Sequence, residues 1–217
     1  DSNDVRLDLT QFTQISIFAA SFTIFKIYCS ETNLKNEEID VMMGHSLGEY
    51  TALACSNKIS LKDCSMILKK RGELMNNAAP PNETGMAALI GKDSDSIQNI
   101  INKNNLDIEI ANDNSNIQIV ISGNINEIKK SEKIFLNNGV KKFLILNVSA
   151  AFHSKYMLKA QEELSNEIKN LIFKDNKIKI ISNYDANAYS DYKNIKKNLQ
   201  NQMANKVNWT KSINKLE

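Results

Sequence analysis

The chain begins with a stretch whose apolar residues recur at intervals of three and four, which predicts a helix over residues 10–28. The same patterns then predict a buried strand at 39–43 and helices at 47–56 and 61–78. Pro80 and Pro81 follow the last of these helices. Because proline cannot continue a helix, the pair marks a boundary in the chain.

Beyond this boundary the pattern changes to short strands that alternate with helices. It predicts, in order, strand 85–91, helix 95–103, strands 107–112 and 117–123, helix 125–139 and strand 142–148. The order β-α-β-β-α-β is that of a ferredoxin-like unit. We therefore predict a small inserted subdomain at residues 82–147.

The chain after the insert returns to longer helices. Its pattern predicts a helix at 156–172, a strand at 177–182 and helices at 195–205 and 209–217. Alternating strands and helices on both sides of an insert are typical of an α/β domain with a parallel sheet. The predicted fold is α/β, with a parent domain formed by residues 1–81 and 148–217 and the ferredoxin-like subdomain inserted into it.

Charge and residue usage argue against several classes of function. The 217 residues include 27 Lys+Arg and 25 Asp+Glu, which gives a net charge of +2, and the charged residues are scattered along the chain. We therefore predict no nucleic-acid binding. The longest apolar stretch, 15–25, is shorter than the ~20 residues that a bilayer requires, so we predict no membrane span. Three cysteines without CxxC spacing and two histidines without an HExxH pattern predict neither a disulfide framework nor a metal site.

The most informative stretch is MMGHSLGEYTALA, at residues 42–54. Gly44 and Gly48 flank Ser46 in a G-x-S-x-G pattern, between a predicted strand and a predicted helix. Glycines there permit a tight turn that exposes the serine oxygen, and the start of the next helix faces any oxyanion that forms. The pattern also fits a loop serine that caps the helix. The sequence therefore leaves two interpretations of Ser46, a nucleophile and a helix cap.

A nucleophilic serine requires a base, and the chain contains two histidines. His45 is adjacent to Ser46, so we expect its ring to project away from the space that the serine oxygen faces. His153 follows the predicted strand 142–148, at the point where the chain re-enters the parent domain. Strand ends at one edge of an α/β sheet are where such sites assemble. His153 is therefore the candidate base, and a purely structural histidine is the alternative.

Arginine is rare in this lysine-rich chain and occurs only at Arg6 and Arg71. A guanidinium group is a planar, forked donor that lysine does not reproduce. Its retention at Arg71 suggests that this geometry is needed there. The alternative is an exposed helix residue beside Lys69 and Lys70.

Five stretches resemble malonyl-CoA:acyl carrier protein transacylases and the related acyltransferase domains of fatty acid and polyketide synthases. They are GHSLGEYTALA, KKRGELMNNAAPPNETGMAALIG, NDNSNIQIVISG, VSAAFHSKYM and NKVNWTKSI. They occur in one order through nearly the whole chain. The resemblance implies a hydrolase-like parent domain whose site is covered by the ferredoxin-like subdomain. It also implies ping-pong transfer of a malonyl group from malonyl-CoA to the phosphopantetheine thiol of acyl carrier protein, in fatty acid biosynthesis.

The resemblance also implies the residues of the site. Ser46 and His153 would form a catalytic dyad, and Arg71 would bind the malonyl carboxylate. Leu47 would donate its backbone N–H to the oxyanion. Further substrate-binding positions would be Phe152, Asn112 and Asn114. Phe152 forms the Phe-His pair typical of malonyl-selective relatives, and the asparagines match an asparagine-rich loop near the site. No bound cofactor or metal is implied, since the coenzyme A thioester and holo acyl carrier protein are substrates.

Two family segments have no counterpart in this chain, so we expect it to be shortened at both ends. A Gly-Gln-Gly-type segment, whose glutamine supplies an oxyanion donor, is absent before residue 10. A Gly-Pro-Gly-type segment, which orients the histidine through a backbone carbonyl, would lie beyond Glu217. We expect a monomer, and the lysine- and asparagine-rich composition suggests the plastid-like organelle of an AT-rich parasite, or otherwise the cytoplasm. Candidate contacts for an acidic carrier are Lys69, Lys70, Lys141 and Lys142.

Two other functions remain open from the sequence. A serine esterase or thioesterase shares the serine turn, but it normally shows the order Ser…Asp/Glu…His. The ferredoxin-like insert and Arg71 argue against that class. A non-catalytic module that docks acyl carrier protein is the second alternative.

Overall fold

The computed structural model describes residues 9–80 and 82–216. The helices in this part of the chain are α1 (Thr10–Thr32), α2 (Leu47–Cys55), α3 (Leu61–Asn76), α4 (Ser94–Lys103), α5 (Ile125–Asn137), α6 (Leu158–Asn170), α7 (Tyr192–Gln202) and α8 (Trp209–Ile213). The strands are β1 (Val41–Met42), β2 (Thr84–Ile90), β3 (Ile108–Ser115), β4 (Gln118–Asn124), β5 (Lys142–Ile145), β6 (Lys179–Ile181) and β7 (Ala188–Tyr189).

The four strands from β2 to β5 form an antiparallel sheet in the order β3-β4-β2-β5. Together with α4 and α5, this is the arrangement of a ferredoxin-like unit, and that part of the predicted fold is confirmed. Alternate residues of β2 face opposite ways: Ala87 and Leu89 pack in one buried cluster, and Met86 and Ala88 in another. Phe152 packs against the second cluster. One face of the sheet therefore packs toward the segment that carries His153.

The second sheet is small and belongs to the parent α/β part. Strands β1 and β6 are parallel, with Val41 opposite Lys179, and β7 pairs antiparallel with β6. Helices α2, α3, α6 and α7 share one buried apolar core with β6. The mixed α/β architecture is as predicted, although β1 and β5 are shorter than their apolar runs and β7 has no counterpart among the predicted strands.

Helix α1 corrects the prediction made from the apolar stretch at 15–25. The helix extends over Thr10–Thr32, and it is the one helix of residues 9–80 and 82–216 that is long and apolar enough to cross a membrane. Contrary to the prediction, length therefore does not exclude a span, because the stretch belongs to a helix of 23 residues, although a single such helix is weak evidence for a span. The same helix buries Gln14 and Phe18 against the rest of the chain.

Candidate active site

Ser46 lies on the tight turn between β1 and α2. Its backbone has φ 53° and ψ −107°, which is outside the favoured regions for a residue with a side chain. It occupies the N-cap position of α2, but its side chain makes no capping hydrogen bond. A Cβ atom on Gly44 would lie 2.1 Å from the carbonyl oxygen of Gly48. The turn therefore requires glycine at position 44, and the hydroxyl of Ser46 is not used as a cap.

In the sequence, Ser46 precedes the inserted subdomain and His153 follows it. The fold brings the two side chains together. Ser46 Oγ and His153 Nε2 are 2.9 Å apart. His153 Nδ1 lies 3.2 Å from the carbonyl oxygen of Gln202 and 3.1 Å from that of Asn205. Because carbonyl oxygens only accept hydrogen bonds, Nδ1 carries the proton and Nε2 is free to accept from the Ser46 hydroxyl.

These carbonyls also correct one expectation from the sequence. We expected the carbonyl that orients the histidine to lie beyond Glu217. Two such carbonyls are supplied at the end of α7 and in the turn after it, by Gln202 and Asn205. The histidine is therefore oriented within this chain.

His153 is held in its neutral form. Burial, and after it the positive charge of Arg71, lower the pKa of His153 to about 3. A hydrogen bond to the carbonyl of Gln202 acts in the opposite direction and is the weaker influence. At neutral pH the ring is therefore neutral, and its unprotonated Nε2 can act as a base.

Arg71 on α3 is buried at the site, with only 1% of its surface exposed. Its Nη2 donates to Ser46 Oγ at 2.9 Å and to Gln202 Oε1 at 3.2 Å, and its Nη1 donates to Gln14 Oε1 at 2.7 Å. Its Nε has no hydrogen-bond acceptor among the residues described. Burial lowers its pKa, since desolvation disfavours the charged form. The alternative of an exposed helix residue is wrong for this arginine.

A cavity of about 430 Å³ opens onto these groups. Its walls include the other predicted site residues Leu47, Phe152 and Asn112. The Leu47 N–H is at the first position of α2, where helical N–H groups have no intrahelical acceptor. Asn114 does not line this cavity, and its Oδ1 lies 2.9 Å from Nε2 of His45.

His45 lines the same cavity as Ser46, and its ring is held by Asn114 and Trp209. Its ring packs edge-on against Trp209, with ring centroids 5.3 Å apart, and its Nε2 contacts Asn114.

Within the described ranges, no group of three or more His, Cys, Asp or Glu side chains could hold a metal ion. Among the candidate carrier contacts, Lys69 and Lys70 lie on α3, Lys142 begins β5, and Lys141 directly precedes that strand.

Besides Asn205, whose carbonyl contacts His153, four residues that support the site through their side chains were not predicted from the sequence. They are Gln14, Glu49, Asn183 and Gln202. Asn183 follows β6, and the position just after a parallel strand is a signal that could have identified it. Gln14 is a polar residue one helical turn before the buried Phe18 on α1, and a polar residue at a buried position is a second usable signal.

The strained serine, its neutral histidine and the buried arginine together define a serine site of the acyl-transfer class. Comparison with known proteins agrees with that class. The acyl transferase domain family matches residues 1–216. The chain belongs to this family.

Individual relatives show which acyl transferases the chain resembles. A malonyl CoA-acyl carrier protein transacylase of Bacillus subtilis (strain 168) is 38% identical over 181 residues, which cover 82% of this chain and 57% of that protein. This chain therefore spans little more than half of that relative's length.

Solved structures of malonyl transacylases also resemble this chain. The malonyl CoA-acyl carrier protein transacylase of Coxiella burnetii superposes with a TM-score of 0.92 at 30% identity, over 99% of this chain and 67% of that one. A malonyl-transacylase in complex with a type II polyketide synthase acyl-carrier protein gives a TM-score of 0.90 at 29% identity, over 97% of this chain and 68% of that one.

Proposed function

We propose that this chain transfers the malonyl group of malonyl-CoA to the phosphopantetheine thiol of an acyl carrier protein, through a malonyl ester of Ser46. The observation that carries the proposal is the position of Arg71. Its guanidinium is buried beside Ser46 Oγ, and none of the ion pairs between described residues includes it. A buried cation without an anion in direct contact is costly, so the site favours an acyl group that brings its own carboxylate.

The first half-reaction forms the acyl-serine. Ser46 Oγ attacks the thioester carbonyl carbon while His153 Nε2 takes the hydroxyl proton. The oxyanion of the tetrahedral intermediate accepts a hydrogen bond from the Leu47 N–H, aided by the positive end of α2. The C–S bond then breaks, and the sulfur of coenzyme A leaves with the proton from His153.

The second half-reaction is the same chemistry with a different thiol. The phosphopantetheine thiol gives its proton to His153 Nε2, and its sulfur attacks the ester carbonyl of malonyl-Ser46. Ser46 Oγ then leaves and recovers the proton from His153. The backbone carbonyls of Gln202 and Asn205 hold the imidazole throughout, so this dyad needs no carboxylate as its third member.

Arg71 contributes selectivity in two ways. A malonyl carboxylate can accept two parallel hydrogen bonds from the guanidinium, whereas an acetyl group leaves the guanidinium unpaired. The carboxylate also offsets the positive charge of Arg71, which is one cause of the low pKa of His153. A malonyl substrate therefore strengthens the base that takes the proton of Ser46, and an acetyl substrate does not.

The partner in this proposal is an acyl carrier protein, and the relative solved in complex with such a carrier supports it. Coenzyme A and the carrier enter and leave as substrates, and the route requires no bound cofactor. Phe152 and Asn112 in the cavity wall would contact the acyl group and its pantetheine arm. The monomeric state is proposed with the same route, since both half-reactions use residues of one chain.

Intact-mass spectrometry tests the proposal directly. Incubation with malonyl-CoA should add one malonyl group to Ser46, and later addition of holo acyl carrier protein should move that mass to the carrier. The Ser46→Ala variant is the matched control and should gain no mass. Release of free malonate at the rate of coenzyme A release would instead indicate a thioesterase. Carrier binding without any acyl-serine would indicate a docking module.

A further inference from the structure

The peptide of Ser46 is held at both ends by amide side chains from distant parts of the chain. Asn183 Oδ1 accepts a hydrogen bond from the Ser46 N–H at 2.6 Å, and Asn183 Nδ2 donates to the Gly44 carbonyl at 2.9 Å. Gln202 Nε2 donates to the Ser46 carbonyl at 3.0 Å. Backbone strain such as that of Ser46 persists only where surrounding contacts enforce it. These two amides supply that enforcement.

Glu49 connects Asn183 and Gln202, the two residues that hold the Ser46 peptide. The residue lies in the first turn of α2 and is 1% exposed. Its Oε2 accepts from the backbone N–H of Asn183 at 3.0 Å and from Gln202 Nε2 at 2.7 Å. A single carboxylate oxygen therefore anchors the main chain of Asn183 and the side chain of Gln202, the two residues that hold Ser46.

The carboxylate also decides which way the amide of Gln202 points. An ionised carboxylate accepts hydrogen bonds and donates none, so Gln202 must turn its NH₂ toward Glu49. That NH₂ also reaches the carbonyl of Ser46, and Gln202 Oε1 is left to accept from Arg71 Nη2 at 3.2 Å. A reversed amide would set its oxygen against two acceptors and its NH₂ against a guanidinium donor.

We propose that Glu49 is a positioning residue for the nucleophile: through Asn183 and Gln202 it fixes the peptide of Ser46 in its strained conformation and orients the donors of Arg71. The inference rests on the proposed function only in taking Ser46 as the nucleophile. It requires no contact between Glu49 and any substrate.

The charge state of Glu49 gives this role a signature in pH. Burial raises the pKa of Glu49 to about 7. The charged and titratable groups that face it are Arg71 on α3, Asp185 after β6 and Tyr50 on α2. Charge-assisted hydrogen bonds are about twice as strong as neutral ones, so the ionised form holds the two amides more firmly than the protonated form.

Labelling of Ser46 with phenylmethanesulfonyl fluoride tests the inference without malonyl-CoA or carrier. The Oγ–S bond forms, the S–F bond breaks, fluoride leaves, and the hydroxyl proton passes to His153. We expect Glu49→Ala to lower the labelling rate constant about 100-fold, because a misplaced nucleophile loses about that much. Glu49→Gln keeps an acceptor oxygen, so it should label about three- to tenfold more slowly than wild type at pH 8 and equally fast at pH 6.

Thr51→Val is the control, since Thr51 is buried on the same helix and its hydroxyl has no hydrogen-bond partner among the described residues. It should label at the wild-type rate. A folded Glu49→Ala variant that labels within threefold of wild type would overturn the inference. Where Glu49→Ala does not fold, the Glu49→Gln comparison decides: a wild-type to variant ratio that is constant from pH 6 to pH 8 overturns it. Neither result depends on whether the protein transfers malonyl groups.

Discussion

Ser46 and His153 meet across 2.9 Å, yet the structure holds them by different means. Both residues have positive φ, 53° for Ser46 and 55° for His153. The serine is held by side chains, since the amides of Asn183 and Gln202 contact its peptide. The ring of the histidine is held by main-chain carbonyls, those of Gln202 and Asn205.

This difference means that the two sides of the site respond differently to substitution. A side-chain contact is lost when its residue changes, whereas a carbonyl remains whatever the side chain, provided that the backbone keeps its path. The serine side therefore depends on the identity of several distant residues. The histidine side depends on the fold of the turn that follows α7.

The largest effect should come from removing the base itself. His153→Ala leaves Ser46 Oγ without an acceptor for its proton, and we expect the rate of malonyl-Ser46 formation to fall about 10³-fold. Rapid-quench measurement of acyl-enzyme formation would show this loss. His45→Ala is the matched histidine control, since that ring contacts Asn114 and Trp209 and not Ser46. An equal loss in both variants would contradict the assignment of His153 as the base.

Next in size is the loss of the buried cation on the serine side. Arg71→Ala removes the only guanidinium that contacts Ser46 Oγ in residues 9–80 and 82–216, and kcat/KM for malonyl-CoA should fall about 10²- to 10³-fold. Transfer from acetyl-CoA should fall less, since an acetyl group has no carboxylate to lose its partner. Parallel kinetics with both thioesters measure the ratio. Lys70→Ala, the adjacent residue on α3, should leave the ratio unchanged, and an unchanged ratio in Arg71→Ala would remove the carboxylate role.

The inserted subdomain was the part of the fold most fully predicted from the sequence. Its strands and helices are amphipathic or apolar with regular spacing, and Leu89, Ile97 and Phe135 lie in its buried core. The parent sheet was predicted less well because β1 and β7 have only two residues each, too few for periodicity to register.

At the site, the reacting groups were easier to predict than their supports. Ser46 has a local motif, and His153 is one of only two histidines in the chain. Asn183 is marked in the sequence only by its position after the β6 strand, and nothing in the neighbours of Gln202 distinguishes that amide from a solvated residue. Their role arises because α7 and the end of β6 meet beside the serine turn, which is a tertiary contact.

His153 and Glu49, which supports the serine side, should change the free energy of unfolding in opposite directions as the pH changes. His153 has a depressed pKa of about 3, so its stabilising contribution is present above about pH 6.5 and is lost as the pH falls toward 3. Glu49 has a raised pKa of about 7, so its burial costs nothing below about pH 4.5 and costs progressively more up to pH 7. Between about pH 4.5 and pH 6.5, where both groups contribute, the two opposite slopes cancel.

Urea unfolding of Glu49→Gln and wild type at several pH values isolates the serine side. The difference in unfolding free energy should grow in favour of the variant by roughly 3 kcal/mol from pH 4.5 to pH 7, since 2.5 pKa units separate Glu49 in the folded protein from its ordinary value of 4.5. The same difference for His153→Gln should grow in favour of the variant as the pH falls below 6.5. Two differences that change in the same direction would contradict the environments assigned to these groups.

The smallest expected effect is also the most direct test of how Ser46 and His153 are held. It replaces one asparagine by alanine beside each of these two residues. Asn205→Ala removes an amide that bonds to the Asn201 carbonyl but keeps the carbonyl that His153 contacts. Asn183→Ala removes the acceptor of the Ser46 N–H. We expect acyl-enzyme formation within about twofold of wild type for Asn205→Ala and about tenfold slower for Asn183→Ala, because the latter loses both side-chain hydrogen bonds to the serine turn. Equal rates in the two variants would mean that the side chains do not hold the serine. A larger loss in Asn205→Ala would place the support of the histidine in a side chain and reverse the distinction.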